Sequence, residues 1–183
     1  AHEFPTIAEH AHVTLIEAGP RLLPSFSERS SERAKQSLSK LGVDVILDSA
    51  VDRMYPSDIH LKSGRIVSAG TTIWAAGVAA DEQWTSLGDS DRLNRLVVDE
   101  NLQLCENVWV IGDMAHSKDD DGQPLPMVAS VAMQQGRYVA GVMTGKKSGA
   151  FSYKDKGQMA TVGRRLAVVE LPNGLRLHGT LAW

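Results

Sequence analysis

Asn107-Val108-Trp109-Val110-Ile111-Gly112-Asp113 decides how this 183-residue chain is read. Val108 to Ile111 is an unbroken apolar run that stops at a glycine and a carboxylate, so it predicts a buried strand ending in a turn. Open α/β sheets bind ligands at the carboxyl edge of such strands. Asp113 emerges there, able to accept from the hydroxyls of a polyol, and Gly112 lets a ligand approach the backbone. By itself a strand followed by Gly-Asp reads as a simple turn. The pattern that follows sharpens it: Val128 to Met143 predicts a helix with Val131, Gln135, Val139 and Val142 on one face and Gly145 past its end. The N-terminal amides and partial positive charge of that helix suit an electron-accepting ring that becomes negative on reduction.

Towards the N-terminus, Val13 to Ile16 predicts a buried strand closed by Glu17-Ala18-Gly19-Pro20. Glu28 to Leu41 predicts a helix, since Ala34, Leu38 and Leu41 recur at helical spacing, Ser27 can cap the start and Gly42 can stop it. Val43 to Leu47 is then a second strand, giving a strand-helix-strand unit. Val51 to Tyr55, Ile59 to Lys62 and Arg65 to Ser68 predict a small antiparallel meander with its turn at Lys62-Ser63-Gly64-Arg65. Thr71 to Ala75 reads as another buried strand. The polar stretch Asp81 to Asn94 marks a linker or domain crossing. Leu96 to Val98 and Leu102 to Leu104 read as short strands, Lys118 to Pro126 as an exposed loop, and Phe151 to Trp183 as mainly extended with a turn at Pro172-Asn173-Gly174.

A net charge of -3 gives no global attraction to nucleic acid, so a nucleic-acid role is not expected. Cys105 is the sole cysteine, which excludes an internal disulfide and a Cys-x-x-Cys redox pair and fits a reduced, cytoplasmic setting. Ala1 to Pro5 lacks the basic and apolar regions of a signal peptide, and no apolar run approaches the roughly 20 residues that span a bilayer. The six histidines include no metal-binding spacing, and Asp119, Asp120 and Asp121 lack the glycine and distal glutamate of a calcium loop, so no metal is assigned. The cluster Lys154, Lys156, Arg164 and Arg165 reads as a solvated face. No serine has the Gly-x-Ser-x-Gly context of a hydrolase, and no catalytic residue is assigned.

Glu17 sits where an acidic side chain ending the second strand of a dinucleotide-binding unit accepts from both adenosine ribose hydroxyls and repels a 2′-phosphate. That pattern favours NADH over NADPH; the alternative is a solvated strand-end carboxylate. The Gly-x-Gly-x-x-Gly turn that cradles a pyrophosphate does not occur in the chain.

Four stretches together carry a family resemblance. They are Leu15-Ile16-Glu17-Ala18-Gly19-Pro20-Arg21-Leu22-Leu23-Pro24, Ile73-Trp74-Ala75-Ala76-Gly77-Val78, Val108-Trp109-Val110-Ile111-Gly112-Asp113, and Tyr153-Lys154-Asp155-Lys156-Gly157-Gln158-Met159-Ala160-Thr161-Val162-Gly163-Arg164. The chain resembles the FAD- and NAD(P)-dependent pyridine nucleotide-disulphide oxidoreductases, and within them the type II NADH dehydrogenases. The last stretch, following Ala132-Met133-Gln134-Gln135-Gly136, is the one specific to that branch. The resemblance implies an α/β fold, part of a Rossmann-like flavoprotein with two dinucleotide-binding domains and an extended C-terminal region. Residues 1–80 would be part of the NADH-binding domain and residues 81–183 the C-terminal part of the FAD-binding domain.

It further implies that Glu17 binds the adenosine ribose of NADH, that Ala76 and Gly77 lie against the nicotinamide nucleotide, and that Gly112 and Asp113 receive the ribityl chain of FAD. Val128 and Ala129 would sit by the isoalloxazine. Family members often carry Ala-Gln-x-x-x-Gln near a quinone; here Ala129-Ser130-Val131-Ala132-Met133-Gln134 replaces one glutamine with serine, leaving Ser130 and Gln134 as the acceptor-site candidates. The implied reaction is hydride transfer from NADH to FAD and electron transfer to a membrane quinone. The pyrophosphate loops are expected before residue 1 and the membrane-binding helices after Trp183, with the longer protein peripheral on the cytoplasmic membrane face. The alternative is a non-catalytic α/β fragment that binds a nucleotide or self-associates as a homodimer.

Overall fold

The computed structural model describes residues 11–183, which form two compact units: residues up to Trp74 together with Lys156–Trp183, and Ala75–Asp155. This partition differs from the contiguous one expected from the polar stretch at 81–94, because residues 156–183 fold back onto the first unit.

In the first unit, β1 (Val13–Ile16) and β2 (Val43–Ile46) pair in parallel, Val13 opposite Val43 through Ile16 opposite Ile46. They are joined by helix α1 (Glu28–Lys40), which starts where expected: the Ser27 hydroxyl accepts from the Ser30 amide. It stops where Gly42 adopts φ +81°, the left-handed conformation that a glycine takes without strain. The meander is β3 (Val51–Met54), β4 (Asp58–Leu61) and β5 (Ile66–Ser68), whose buried side chains, Ile59 and Leu61, come from the central strand. The C-terminal residues form an antiparallel sheet of β10 (Gln158–Gly163), β11 (Leu166–Glu170) and β12 (Arg176–Gly179), with β11 in the middle; its numbering follows four short strands of the second unit. Phe26, Ala34 of α1 and Val168 of β11 make one buried cluster, closed by Leu23, Ala160 and Val162.

In the second unit, β6 (Leu96–Val97) pairs in parallel with β9 (Ala115–His116), and β7 (Gln103–Cys105) pairs antiparallel with β8 (Val108–Trp109). Helix α2 (Ala129–Met143) buries Val131, Gln135, Tyr138 and Val139. Tyr138 and Val139 pack on Leu102, with Phe151 edge-on to Tyr138 at 5.4 Å between ring centres. Leu96, Val110 and Ala115 form the neighbouring cluster.

Three expectations fail here. Val13–Ile16 is a strand but not a buried one, with Val13 and Thr14 exposed and Leu15 and Ile16 half-buried. Thr71 to Ala75 is not a buried strand: no described strand pairs with it, and Ile73 is 86% and Trp74 59% exposed. An apolar run becomes a strand only when its backbone groups find a ladder partner, and burial follows from that pairing. Val108 to Ile111 is likewise shorter and less buried than read: the strand ends at Trp109, and only Val110 is inside, flanked by exposed Val108 and Ile111. The loop Lys118 to Pro126 is exposed except at Asp119, which is half-buried, and Leu125, which is buried.

Candidate functional site

The turn at the end of the opening stretch is a single 3₁₀ turn, Gly112–Met114. Gly112 has φ +66°, and a Cβ there would sit 3.4 Å from the Cβ of Ala132, so the turn lies against the first turns of α2. Its orientation is held by one side chain. The Gly112 amide donates to Oε1 of Gln135 at 2.6 Å, and Nε2 of Gln135 donates to the Ser117 hydroxyl at 2.7 Å. Gln135 is fully buried and Ser117 nearly so, so these bonds satisfy polar groups that water does not reach. Asp113, at the tip, is exposed.

Helix α2 begins beside this turn without a side-chain cap: Val128 occupies the N-cap position with φ -136° and ψ 152° and offers no oxygen from its side chain. Val128 and Ala129 are exposed, as is Ile111 across the turn. An exposed carboxylate, an uncapped helix start and apolar surface are thereby brought together. Hydroxyl-bearing chains suit the first, a ring that gains negative charge on reduction the second and flat aromatic faces the third.

The two acceptor-site candidates point to a neighbouring segment of the same unit. The hydroxyls of Ser130 and Tyr153 lie 2.9 Å apart, and Gln134 grips the Lys154 backbone at both ends, donating from Nε2 to its carbonyl at 2.9 Å and accepting from its amide at 3.1 Å. Ser130 and Gln134 are one helical turn apart, so α2 holds Tyr153-Lys154 along one stripe.

Glu17 belongs to the first unit. Its carboxylate accepts from the Gly19 amide at 2.7 Å, so it is folded onto its own turn, which the bonds Asp48 N–H to Gly19 O and Ser49 N–H to Glu17 O anchor to the end of β2. Ala76 and Gly77 belong to the second unit and are exposed; Gly77, at φ +106° with open space around it, bends a segment that has no ladder partner among the described residues.

A cluster that the sequence did not announce lies in the same unit as the Gly112 turn. Oδ2 of Asp91 accepts from Nε and NH2 of Arg95 at 2.8 and 2.7 Å and meets Nδ1 of His116 at 2.9 Å, while Oδ1 takes the amides of Leu93 and Arg95. Arg95 also donates to the Leu125 carbonyl at 3.0 Å. Burial pushes the Asp91 carboxyl upward, but hydrogen bonds from His116, Arg95 and the two amides outweigh it and hold the carboxyl well below the usual range. The cluster ties β6, β9 and the loop at Leu125 together. Gln135 was detectable as a polar residue in the apolar stripe of α2. Asp91 and Arg95 are four residues apart, but His116 lies 25 and 21 residues beyond them, separations that match no motif.

Among the described residues no group of three or more His, Cys, Asp or Glu side chains is placed to hold a metal, and no helix is long and apolar enough to cross a membrane.

Residues 1–136 match the family model described as pyridine nucleotide-disulphide oxidoreductase. The chain belongs to this family. Within the family it is similar to an internal alternative NAD(P)H-ubiquinone oxidoreductase of Solanum tuberosum mitochondria, 34% identical over 94% of this chain and 38% of that protein. It is also similar to the type II NADH:quinone oxidoreductase of Mycobacterium tuberculosis, 32% identical over 94% of this chain and 40% of that one. The chain thus spans about two fifths of the length of these oxidoreductases. The structure of NDH2 from Plasmodium falciparum in complex with NADH superposes with a TM-score of 0.82 at 18% identity, covering 97% of this chain and 53% of that one. The Bacillus anthracis CoADR-RHD structure gives 0.75 at 21% identity, over 89% and 31%. The fold is therefore part of the Rossmann-like architecture of pyridine nucleotide-disulphide oxidoreductases, as the sequence led us to expect.

Proposed function

We propose that this chain carries the flavin-facing turn and part of the NADH-binding region of an FAD-dependent NADH dehydrogenase that passes electrons to a quinone. The single observation that carries the reading is the Gly112–Asp113 turn, locked by Gln135 and set against the uncapped start of α2. The residues present fit FAD. Asp113 accepts from ribityl hydroxyls, the φ of +66° at Gly112 favours a residue without a side chain, and the α2 amides favour negative charge on a ring beside Val128 and Ala129. FAD supplies the two-electron chemistry that accepts a hydride from NADH. The chain's own share is positioning: Gln135 and Ser117 fix the turn, while Glu17 is assigned to the ribose hydroxyls of NADH and Ala76 and Gly77 to its nicotinamide nucleotide.

On this reading residues 1–80 serve NADH and the flavin contacts come from residues 81–183. Ser130 and Gln134 lie on the acceptor side, and Tyr153, bonded to Ser130, joins them. Relatives named as quinone oxidoreductases support a quinone acceptor; the whole protein then works as a peripheral protein on the cytoplasmic face of the membrane. The test is a flavin titration, followed by fluorescence, of the longer protein that supplies the pyrophosphate loop. Saturable FAD binding is expected, weakened at least about tenfold by Asp113→Ala, since a hydrogen bond to a charged group contributes about 1.5–3 kcal/mol. Equal FAD affinity in the variant would sink the assignment of Asp113.

A second reading, self-association as a homodimer, is favoured by one observation: Ile73, Trp74 and Val78 are all exposed within one short segment. Ile73→Ser with Trp74→Ser is expected to restore a monomeric elution volume if that segment is the contact.

A further inference from the structure

On the first unit, α1 faces β12 across a groove whose two walls carry the same charge. Arg29 and Arg33 lie one turn apart on α1, Arg176 and His178 alternate onto one face of β12, and between them is a cavity of about 260 Å³ floored by Val168, which is 3% exposed. An adjoining cavity of about 170 Å³ shares Arg33, Val168 and His178 and extends to Lys40. Like charges facing each other destabilise a packed contact unless something of opposite sign lies between them.

The chain's own carboxylate at this groove offsets only the Arg176 wall and leaves Arg29 and Arg33 without a counter-charge among the described residues. Glu170 is engaged at the start of α1, where it accepts from the hydroxyls of Ser27 and Ser30 and from the Ser27 amide, with Nε of Arg176 at 3.6 Å. Those hydroxyl bonds hold the Glu170 carboxyl below its ordinary value, so it stays ionised and committed to the helix start. Among the described residues neither Arg29 nor Arg33 has a carboxylate at ion-pair distance. Arg33 is instead placed against Nε2 of His178.

We propose that this groove binds a phosphate-bearing anion, with the guanidinium groups of Arg29, Arg33 and Arg176 as its donors and His178 beside them. Planar guanidinium forks match phosphate oxygens in pairs, and a tetrahedral oxyanion engages several at once. The cavity lies just below the range of about 300–1,000 Å³ of ordinary ligand pockets, which suits a phosphate or diphosphate group and not a dinucleotide. The site is separate from the residues assigned above to NADH and FAD, so it stands or falls without them.

Inorganic pyrophosphate titrated into the chain, followed by calorimetry and by the imidazole resonances of His178, tests this directly. Saturable binding to one site that weakens with added salt and shifts the His178 signals is expected. The double substitution Arg29→Gln with Arg33→Gln should weaken it at least about tenfold, equivalent to about 1.4 kcal/mol. Arg164→Gln with Arg165→Gln, which alters charge elsewhere, should leave it unchanged. Phosphatidylglycerol vesicles distinguish the source: co-sedimentation that pyrophosphate competes away supports the same site occupied by a lipid headgroup, and pyrophosphate binding without co-sedimentation supports a free phosphorylated ligand. Absence of binding to both probes overturns the proposal, as does equal weakening by the two double substitutions. Arg29→Gln alone, at an exposed position, serves if the first double variant unfolds.

Discussion

Gln135→Leu isolates the support of the candidate flavin turn. The substitution keeps the volume and apolar contacts of the α2 stripe while deleting the acceptor for the Gly112 amide and the donor to Ser117. Leaving a buried polar group unpaired costs about 1–3 kcal/mol, and two groups are affected, one of them partly reachable by water, so a loss of about 2–4 kcal/mol is expected. Against a total of about 5–15 kcal/mol this is a large fraction. Urea unfolding followed by circular dichroism reads it: with a slope of about 2 kcal/mol/M, the midpoint falls by about 1–2 M. Hydrogen exchange at the Gly112 amide should accelerate by a comparable factor. Ser117→Ala alone should have a smaller effect, and the double variant should lose less than the sum, because both changes break one chain of bonds. An unchanged midpoint with unchanged Gly112 protection, or strict additivity of the pair, would refute the claim that Gln135 holds the turn.

Asp91 and Glu170 both have carboxyls held below their ordinary values in the fold, so each contributes stability that is fully present above about pH 4 and is lost as the pH falls through the folded values. Urea midpoints measured down the acid range should drop below about pH 4, and Asp91→Asn should flatten that part of the profile while lowering stability at neutral pH. Removing one member of a buried ion pair costs about 3–5 kcal/mol, so Arg95→Met should destabilise by that order at pH 7. Gly157→Ala should be among the most damaging single changes: Gly157 has φ +85°, and a Cβ would stand 2.3 Å from the Glu170 carbonyl oxygen. The measurement is soluble yield and thermal midpoint, and a variant with native stability would show that the turn before β10 relaxes freely. Ser27→Ala should destabilise the start of α1 by about 1 kcal/mol, the usual worth of a cap, and more if its bond to Glu170 adds to it.

How much of this was legible follows from the range of each interaction. Helix α1 was readable because its signals are local: Ser27 before it, Ala34 and Leu38 within it, Gly42 after it. The meander was readable from the Lys62-Ser63-Gly64-Arg65 turn. Thr71 to Ala75 was misread because its composition is that of a strand but strand formation depends on a partner that composition does not supply. The turn proposed to face the flavin was legible at Gly112 and Asp113, where a glycine and a carboxylate follow an apolar run. Its support was half legible: Gln135 on an apolar stripe signals a burial conflict, yet nothing local names Gly112 and Ser117 as the groups that resolve it. The bond of Ser130 to Tyr153 and the grip of Gln134 on Lys154 depend on residues 20 or more positions away and were out of reach of any motif.

The start of α1 has a further consequence for how the chain is made. Its cap is completed by Glu170, 140 or more residues downstream, and the unit it belongs to is built from the two ends of the described chain. On a ribosome, residues 75–155 are complete and free to fold while α1 still lacks its carboxylate and the sheet of β10 to β12 that buries Phe26 and Ala34. The half that emerges first therefore closes last, and until it does, the serine-rich start of α1 and its apolar face stand open to chaperones or to a neighbouring copy.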